Sequence, residues 1–236
     1  EDPRIPILLN VLRLGYLAPP AAIAPQGFRD AARNLIEILN ARVYGGEYLP
    51  CDPMDVIPVL PWRAALLFGE VYRAVGAEFF WHLGAKRNEQ TLATEIYHES
   101  VPPYQMRGRT HVVCDPMLAS GGTTCTTIAR LIANGVERSR IVVQAIIAAP
   151  EGVFRVLTTY PEVCVFTCAL DERLDRNGFI VPGLGDFGDL AFADLDDRYV
   201  QERWLDAGLL TRSQADLVRQ RTRAIAAHAA RTATIE

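Results

Sequence analysis

The residues best placed to do chemistry lie together in "CDPMLASGGTTC", Cys114 to Cys125. Asp115 follows the apolar run "THVVC" directly, and the adjacent glycines Gly121 and Gly122 precede a helical pattern opened by four hydroxyl residues in "TTCTT". A strand that ends in a glycine loop and enters a helix makes an anion site. The first helical N–H groups have no partner in the helix, and the macrodipole places partial positive charge there. Gly121 and Gly122 allow positive φ and close approach of the backbone. Ser120, Thr123 and Thr124 can add hydroxyl donors. The stretch is not the common nucleotide loop G-x-x-x-x-G-K-[ST], because it lacks the lysine. Asp115 cannot hold a phosphate, so its carboxylate is left for sugar hydroxyls or a bound cation.

Positioning such a loop requires a sheet. From Asp55 onward short β-branched runs alternate with helical patterns. Strands are expected at 55–60, 77–85, 94–101, 110–115, 140–150 and 163–170. Helices are expected at 62–76, 123–135 and 151–161, with Gly76 and Gly135 as closing residues. An amphipathic helix over 28–43 covers one face. This alternation predicts an α/β protein with a mostly parallel twisted sheet and helices on both faces. In such sheets ligands bind at the carboxyl ends of the strands, which is where Asp115 stands. Past Phe192 the strand signal stops. Residues 193–236 form a helical C-terminal extension, with a capping box at Thr211 and Gln214, that is expected to pack on its own domain. The domain proper is 1–192.

The composition excludes several classes. With 50% apolar and 22% charged residues the chain is an ordinary globular one. A net charge of -4 gives no pull toward nucleic acid. No uncharged apolar run approaches the length of a membrane span. The N-terminus "EDPRIPILLNVLRLGYL" does not read as a signal peptide. The five cysteines contain no C-x-x-C pair and are read as reduced, intracellular and mostly buried thiols, with no metal site expected.

Phosphate next to sugar hydroxyls is the shape of a phosphoribosyl diphosphate (PRPP) site, and "DPMLASGGT" (115–123) resembles the PRPP loop of uracil phosphoribosyltransferases, a branch of the type I phosphoribosyltransferase fold. The segment 148–192 is similar to that family throughout, and "FIVPGLGDFGD" (179–189) resembles its uracil loop. "GAKRNEQTL" (84–92) is similar to the segment that bears an arginine for the diphosphate. The resemblance implies a divergent member that moves 5-phosphoribosyl from PRPP to uracil or a similar planar acceptor, releasing pyrophosphate and giving UMP if the acceptor is uracil. It places PRPP on Asp115, Pro116, Met117, Leu118, Ala119, Ser120, Gly121, Gly122, Thr123 and Asp186. It places the base on Ile180, Gly185, Asp186 and Phe187. Asp115, Arg87 and Arg63 become the catalytic candidates. It further implies Mg2+ accompanying PRPP, a cytoplasmic homodimer or higher homo-oligomer, and no side-chain nucleophile.

Three positions depart from the family pattern. Pro61 stands where an arginine begins the diphosphate turn, and Arg63 comes two residues later. Ser100 replaces a lysine and Leu190 a basic residue. Loss of cations on the diphosphate side keeps two alternatives open: a specialised biosynthetic paralogue with another aromatic or heterocyclic acceptor, and a non-catalytic PRPP or nucleotide sensor.

Overall fold

A computed structural model describes residues 2–17, 25–46, 48–87, 94–103 and 108–192. The helical extension expected over 193–236 lies outside the described residues, as does the segment 88–93.

The strands are β1 (Ile57–Trp62), β2 (Trp81–Arg87), β3 (Thr94–Ser100), β4 (His111–Cys114), β5 (Met117–Leu118), β6 (Ile141–Ala148), β7 (Cys164–Leu170), and the short hairpin β8 (Arg173–Leu174) and β9 (Ile180–Val181). The helices are α1 (Arg4–Leu17), α2 (Pro25–Val43), α3 (Leu66–Ala74), α4 (Gly122–Ala133), α5 (Pro150–Thr159) and α6 (Phe187–Phe192). β1 to β7 build a seven-stranded sheet in the order β3-β2-β1-β4-β6, with β5 and β7 both on β6. Every pairing in it is parallel except β2 with β3. The mostly parallel sheet expected from the alternation is therefore present, and the stretch 94–101 supplies its antiparallel edge.

Helices lie on both faces because the inner strands are apolar on both sides, as parallel strands between helix layers must be. Along β4, Val112 and Cys114 join the core beneath α1, α2 and α3, whereas Val113 joins the core beneath α4 on the other face. All eight residues of β6 are buried. One polar chain crosses the first core: Tyr44 of α2's C-terminal end meets the hydroxyl of Tyr72 on α3, which donates to Gln144 Oε1 of β6 at 2.7 Å.

Several boundaries differ from expectation, among them the start of β2, at Trp81 rather than 77. β1 runs through Pro61 and Trp62, so the helix begins at Leu66 rather than 62. Beyond Val59 the strand pairs with β2 alone, and a proline without an N–H fits such a half-paired end. Of the five cysteines only Cys114 and Cys125 are buried, and Cys164 is exposed because β7 is an edge strand; all five are free. No helix among the described residues is long and apolar enough to cross a membrane.

Candidate functional site

The chain turns out of β4 at Asp115, whose N–H donates to the Gln144 carbonyl at 2.9 Å. It then resumes pairing along β6 as β5, with Met117 opposite Ile147 and Leu118 opposite Ala148. The loop that follows closes onto α4 through Gly121, which caps the helix in the left-handed region at φ 73° and offers no side-chain cap. Gly122 is already the first helical residue, so Gly121 alone carries the positive φ. The first-turn N–H groups of Gly122, Thr123 and Thr124 are thus left for a ligand.

This arrangement borders a cavity of about 310 Å3, walled by the whole run Cys114–Pro116–Met117 and Ala119–Thr123, and by Pro61, Trp62, Ala64 and Ala85 across from it. The phosphate loop and the end of β1 therefore face one space. Two members of the expected PRPP set are not among its walls: Leu118, which is fully buried, and Asp186. Asp115 stands at the cavity's floor. Its Oδ2 accepts from Thr124 Oγ1 at 2.6 Å and its Oδ1 from the Met117 N–H at 3.3 Å. Desolvation pushes its carboxyl up to about 6, against the smaller lowering effect of those two hydrogen bonds. The two donors leave lone pairs on both oxygens for a substrate hydroxyl or a metal-bound water.

The loop is pressed from behind by α5. A side chain at Gly152 would bring its Cβ within 2.2 Å of the Ala119 carbonyl oxygen, and one at Gly121 would come 3.0 Å from the Gly152 oxygen. Arg155, one turn along α5, donates to the Ser120 carbonyl at 3.4 Å. Sequence reading did not single out this cation beside the phosphate loop, because the contact spans 35 residues.

The diphosphate side is different. Pro61 and Trp62 line the cavity. The Trp62 indole N–H donates to His82 Nδ1 at 3.0 Å, and its ring stacks on His98 at 4.9 Å. His82 must be neutral at Nδ1 to accept that bond, and burial, then Arg73 and His98, lower its pKa. Arg63 points away from the cavity wall to Asp189. Arg87 ends β2, but its side chain lies outside the described residues.

The base loop runs from the β8–β9 hairpin into α6. Ile180 is buried, and the chain turns at Gly183 (φ 64°) and Gly185 (φ 73°) before Asp186. Asp186 Oδ1 accepts the Asp189 N–H at 3.0 Å and so opens α6. Phe187 is buried against Phe28 at 5.3 Å, which anchors the loop to α2 from below. A Cβ at Gly188 would lie 3.7 Å from Ala64, so the end of the base loop abuts the turn that follows β1. Asp171 is buried, and its Oδ2 accepts the Gly183 N–H at 2.9 Å.

Residues 25–193 match the uracil phosphoribosyltransferase family. Over 141 residues the chain is 39% identical to the uracil phosphoribosyltransferase of Campylobacter curvus, covering 59% of this chain and 65% of that protein. Over 171 residues it is 36% identical to that of Nicotiana tabacum, covering 69% and 75%. The chain thus spans slightly less than two thirds of the length of the first of these relatives. Among solved structures, the AQ2163 protein of Aquifex aeolicus superposes with a TM-score of 0.70 at 28% identity, over 82% of this chain and 96% of that one. The mostly parallel sheet with its helices on both faces is the type I phosphoribosyltransferase fold. With 25–193 matched, and with a strand, glycine turn and helix start after β4 built as its loop requires, the chain belongs to the uracil phosphoribosyltransferase family.

Proposed function

We propose that this protein transfers the 5-phosphoribosyl group of PRPP to uracil. The ring nitrogen N1 attacks C1 of the ribose, the C1–oxygen bond to the diphosphate breaks, pyrophosphate leaves, and the N1 proton is lost to solvent, giving UMP. The observation that carries this reading is the placement of Asp115 and the Gly121–Thr123 helix start on one cavity, with a carboxylate for ribose hydroxyls and N–H groups for the 5′-phosphate.

In this reading Pro116 to Thr123 cradle the phosphate, and Asp115 fixes the ribose by accepting from its hydroxyls. Ile180, Gly185, Asp186 and Phe187 form the base site, in which main-chain groups match the alternating donors and acceptors of the imide edge, and Asp186 also approaches PRPP. Arg63 and Arg87 supply charge to the departing pyrophosphate. Catalysis is then positioning and electrostatic stabilisation, with no nucleophile from the protein. Mg2+ accompanying PRPP would neutralise diphosphate charge, and the free lone pairs of Asp115 would accept from one of its bound waters. The enzyme acts in the cytoplasm as a homodimer or higher homo-oligomer.

A second reading is favoured by the ion pair that occupies Arg63 and by Pro61 at the turn. The acceptor is then another planar ring, or the protein binds PRPP or nucleotide without turnover. Pyrophosphate release from PRPP with uracil and with a panel of other bases separates these. Saturable turnover with uracil at ordinary enzyme efficiency supports the first reading. Turnover with another ring alone supports the paralogue, and calorimetric binding without turnover supports the sensor.

A further inference from the structure

Arg13 lies on α1, ahead of the residues matched by the family. Its guanidinium donates to Asp171 Oδ1 at 2.7 Å, across 158 residues of chain. The Asp171 side chain is only 3% exposed. Its second oxygen, Oδ2, accepts the backbone N–H of Gly183 at 2.9 Å. The Asp171 N–H in turn donates to the carbonyl of Ala148, the last residue of β6, at 2.8 Å. One carboxylate thus joins the N-terminal helix, the end of the central sheet and the base loop. Gly183 is the tightest point of that loop. At φ 64° a Cβ would come within 2.2 Å of the Ile180 carbonyl oxygen, so the chain folds back on itself there and turns its N–H toward Asp171.

We propose that Asp171, held by Arg13, is the positioning residue of the acceptor site, fixing the backbone from Gly183 to Asp186 in the conformation that meets the ring. This rests on the proposed transfer to uracil. A site that reads a planar ring with main-chain groups depends on where the backbone is held, and a loop left to chance binds poorly. A carboxylate so little exposed is tolerated only with a compensating charge and hydrogen bonds. Without the Arg13 guanidinium, Asp171 is a buried unpaired charge; it draws in water or turns outward, and the Gly183 N–H loses its charge-assisted acceptor.

The test uses the full chain with Arg13→Met, Arg13→Lys, Asp171→Asn and the double variant Arg13→Met/Asp171→Asn, which keeps an amide oxygen for Gly183 and leaves no unpaired charge. Arg13→Met is expected to raise KM for uracil about tenfold or more while KM for PRPP stays within about twofold. Arg13→Lys and the double variant are expected to recover most of that loss, and hydrogen exchange over 179–187 should speed up in Arg13→Met alone. A purely structural pair would lower the melting temperature and move both KM values together, and that result, or an unchanged uracil KM, overturns the proposal. If Arg13→Met does not fold, Arg13→Lys and the double variant decide on the same two readouts. If the unmodified chain transfers nothing to uracil, the proposed function fails by itself. Exchange over 179–187 then decides the positioning role, supporting it if protection is lost in Arg13→Met and overturning it if protection is kept.

Discussion

Arg63, in the turn after β1, is ion-paired with Asp189 of α6, 126 residues further along the chain. Asp189 also donates its N–H to Asp186, so the diphosphate turn and the end of the base loop form one hydrogen-bonded unit. Arg63, the arginine nearest in sequence to Pro61, is therefore already engaged, and on the proposed reading a diphosphate must compete for it.

The first prediction follows from that competition. Arg63→Met is expected to raise KM for PRPP about tenfold and lower kcat, because a charged contact to a developing anion is worth about 3 kcal/mol at most sites. Asp189→Asn frees the guanidinium and is expected to lower KM for PRPP by a few fold. Arg63 is half-exposed, so the pair contributes only about 0–1 kcal/mol of stability. Both melting temperatures should then fall by no more than about 4 °C. Kinetics and thermal melts check both variants, and an unaltered PRPP dependence in Arg63→Met would assign the diphosphate to other groups.

Asp115 should write itself into the pH profile. Its carboxyl titrates near 6 when folded, against 3.8 for the ordinary group. Activity in kcat/KM for PRPP is expected to fall on the acid side of about pH 6, as the ribose-binding carboxylate takes up a proton. Thr124→Val removes a hydrogen bond that favours the charged form and should move that limb to higher pH.

Stability runs the other way. Because the folded pKa of Asp115 is raised, the native state holds the extra proton between about pH 4 and 6, and this group's contribution is full below that window and lost as pH rises through it. His111 opposes it. Burial lowers the His111 pKa from 6.5 to about 4, so its contribution is present above 6.5 and lost as pH falls toward 4. Asp115→Asn should therefore stabilise the free protein at pH 7.5, leave it little changed at pH 4, and unmask a stability that rises with pH between the two. Chemical denaturation at several pH values measures it; no gain at pH 7.5 would contradict the assignment.

Gly152→Ala should damage the phosphate site without touching ligand. Its Cβ would meet the Ala119 carbonyl at 2.2 Å, backbone against backbone, so the loop has to shift. Overpacking of this kind costs about 1–3 kcal/mol. KM for PRPP is expected to rise about tenfold, since cradle N–H groups tolerate displacement from hydrogen-bonding distance to the phosphate oxygens by only fractions of an ångström. Denaturant melts and PRPP titration give the two numbers.

Tyr72 and Tyr44 share one buried chain but hold unequal places in it. Tyr72→Phe leaves Gln144 Oε1 without its donor and removes the partner of the Tyr44 hydroxyl. Tyr44→Phe leaves the Tyr72–Gln144 bond intact. An unsatisfied buried polar group costs about 1–3 kcal/mol, so Tyr72→Phe should destabilise by more than Tyr44→Phe. Equal losses would show that the chain is not ordered in this way.

What could be seen in the sequence was what is local. The anion loop needs only nine consecutive residues from Asp115 to Thr123, and strand, glycine turn and helix start are all written there. The parallel sheet was legible because apolar runs and helical patterns alternate along the chain. The helix α1 was not, since it has no acidic residue in its first turn and no basic one in its last. The β8–β9 hairpin has strands of two residues each, too short for an alternating pattern to show. The ties that hold the base loop were also hidden, because Arg13 and Asp171 meet only through the fold, and Arg63 reads as a free diphosphate residue until Asp189 is brought beside it.

The Arg13–Asp171 contact also bears on the order in which the molecule is made. Arg13 is made well ahead of its carboxylate partner and of Gly183, which are synthesised 158 and 170 residues later. The sheet from β1 to β6 can form before either exists, and the phosphate cradle can form with it. The turn at Gly183 cannot be set until α1, held waiting while those residues are made, meets the end of β7. On the proposed reading, binding of the sugar phosphate and recognition of the ring are thus acquired at different stages of the chain's life, the first from neighbours in sequence and the second from parts far apart in it.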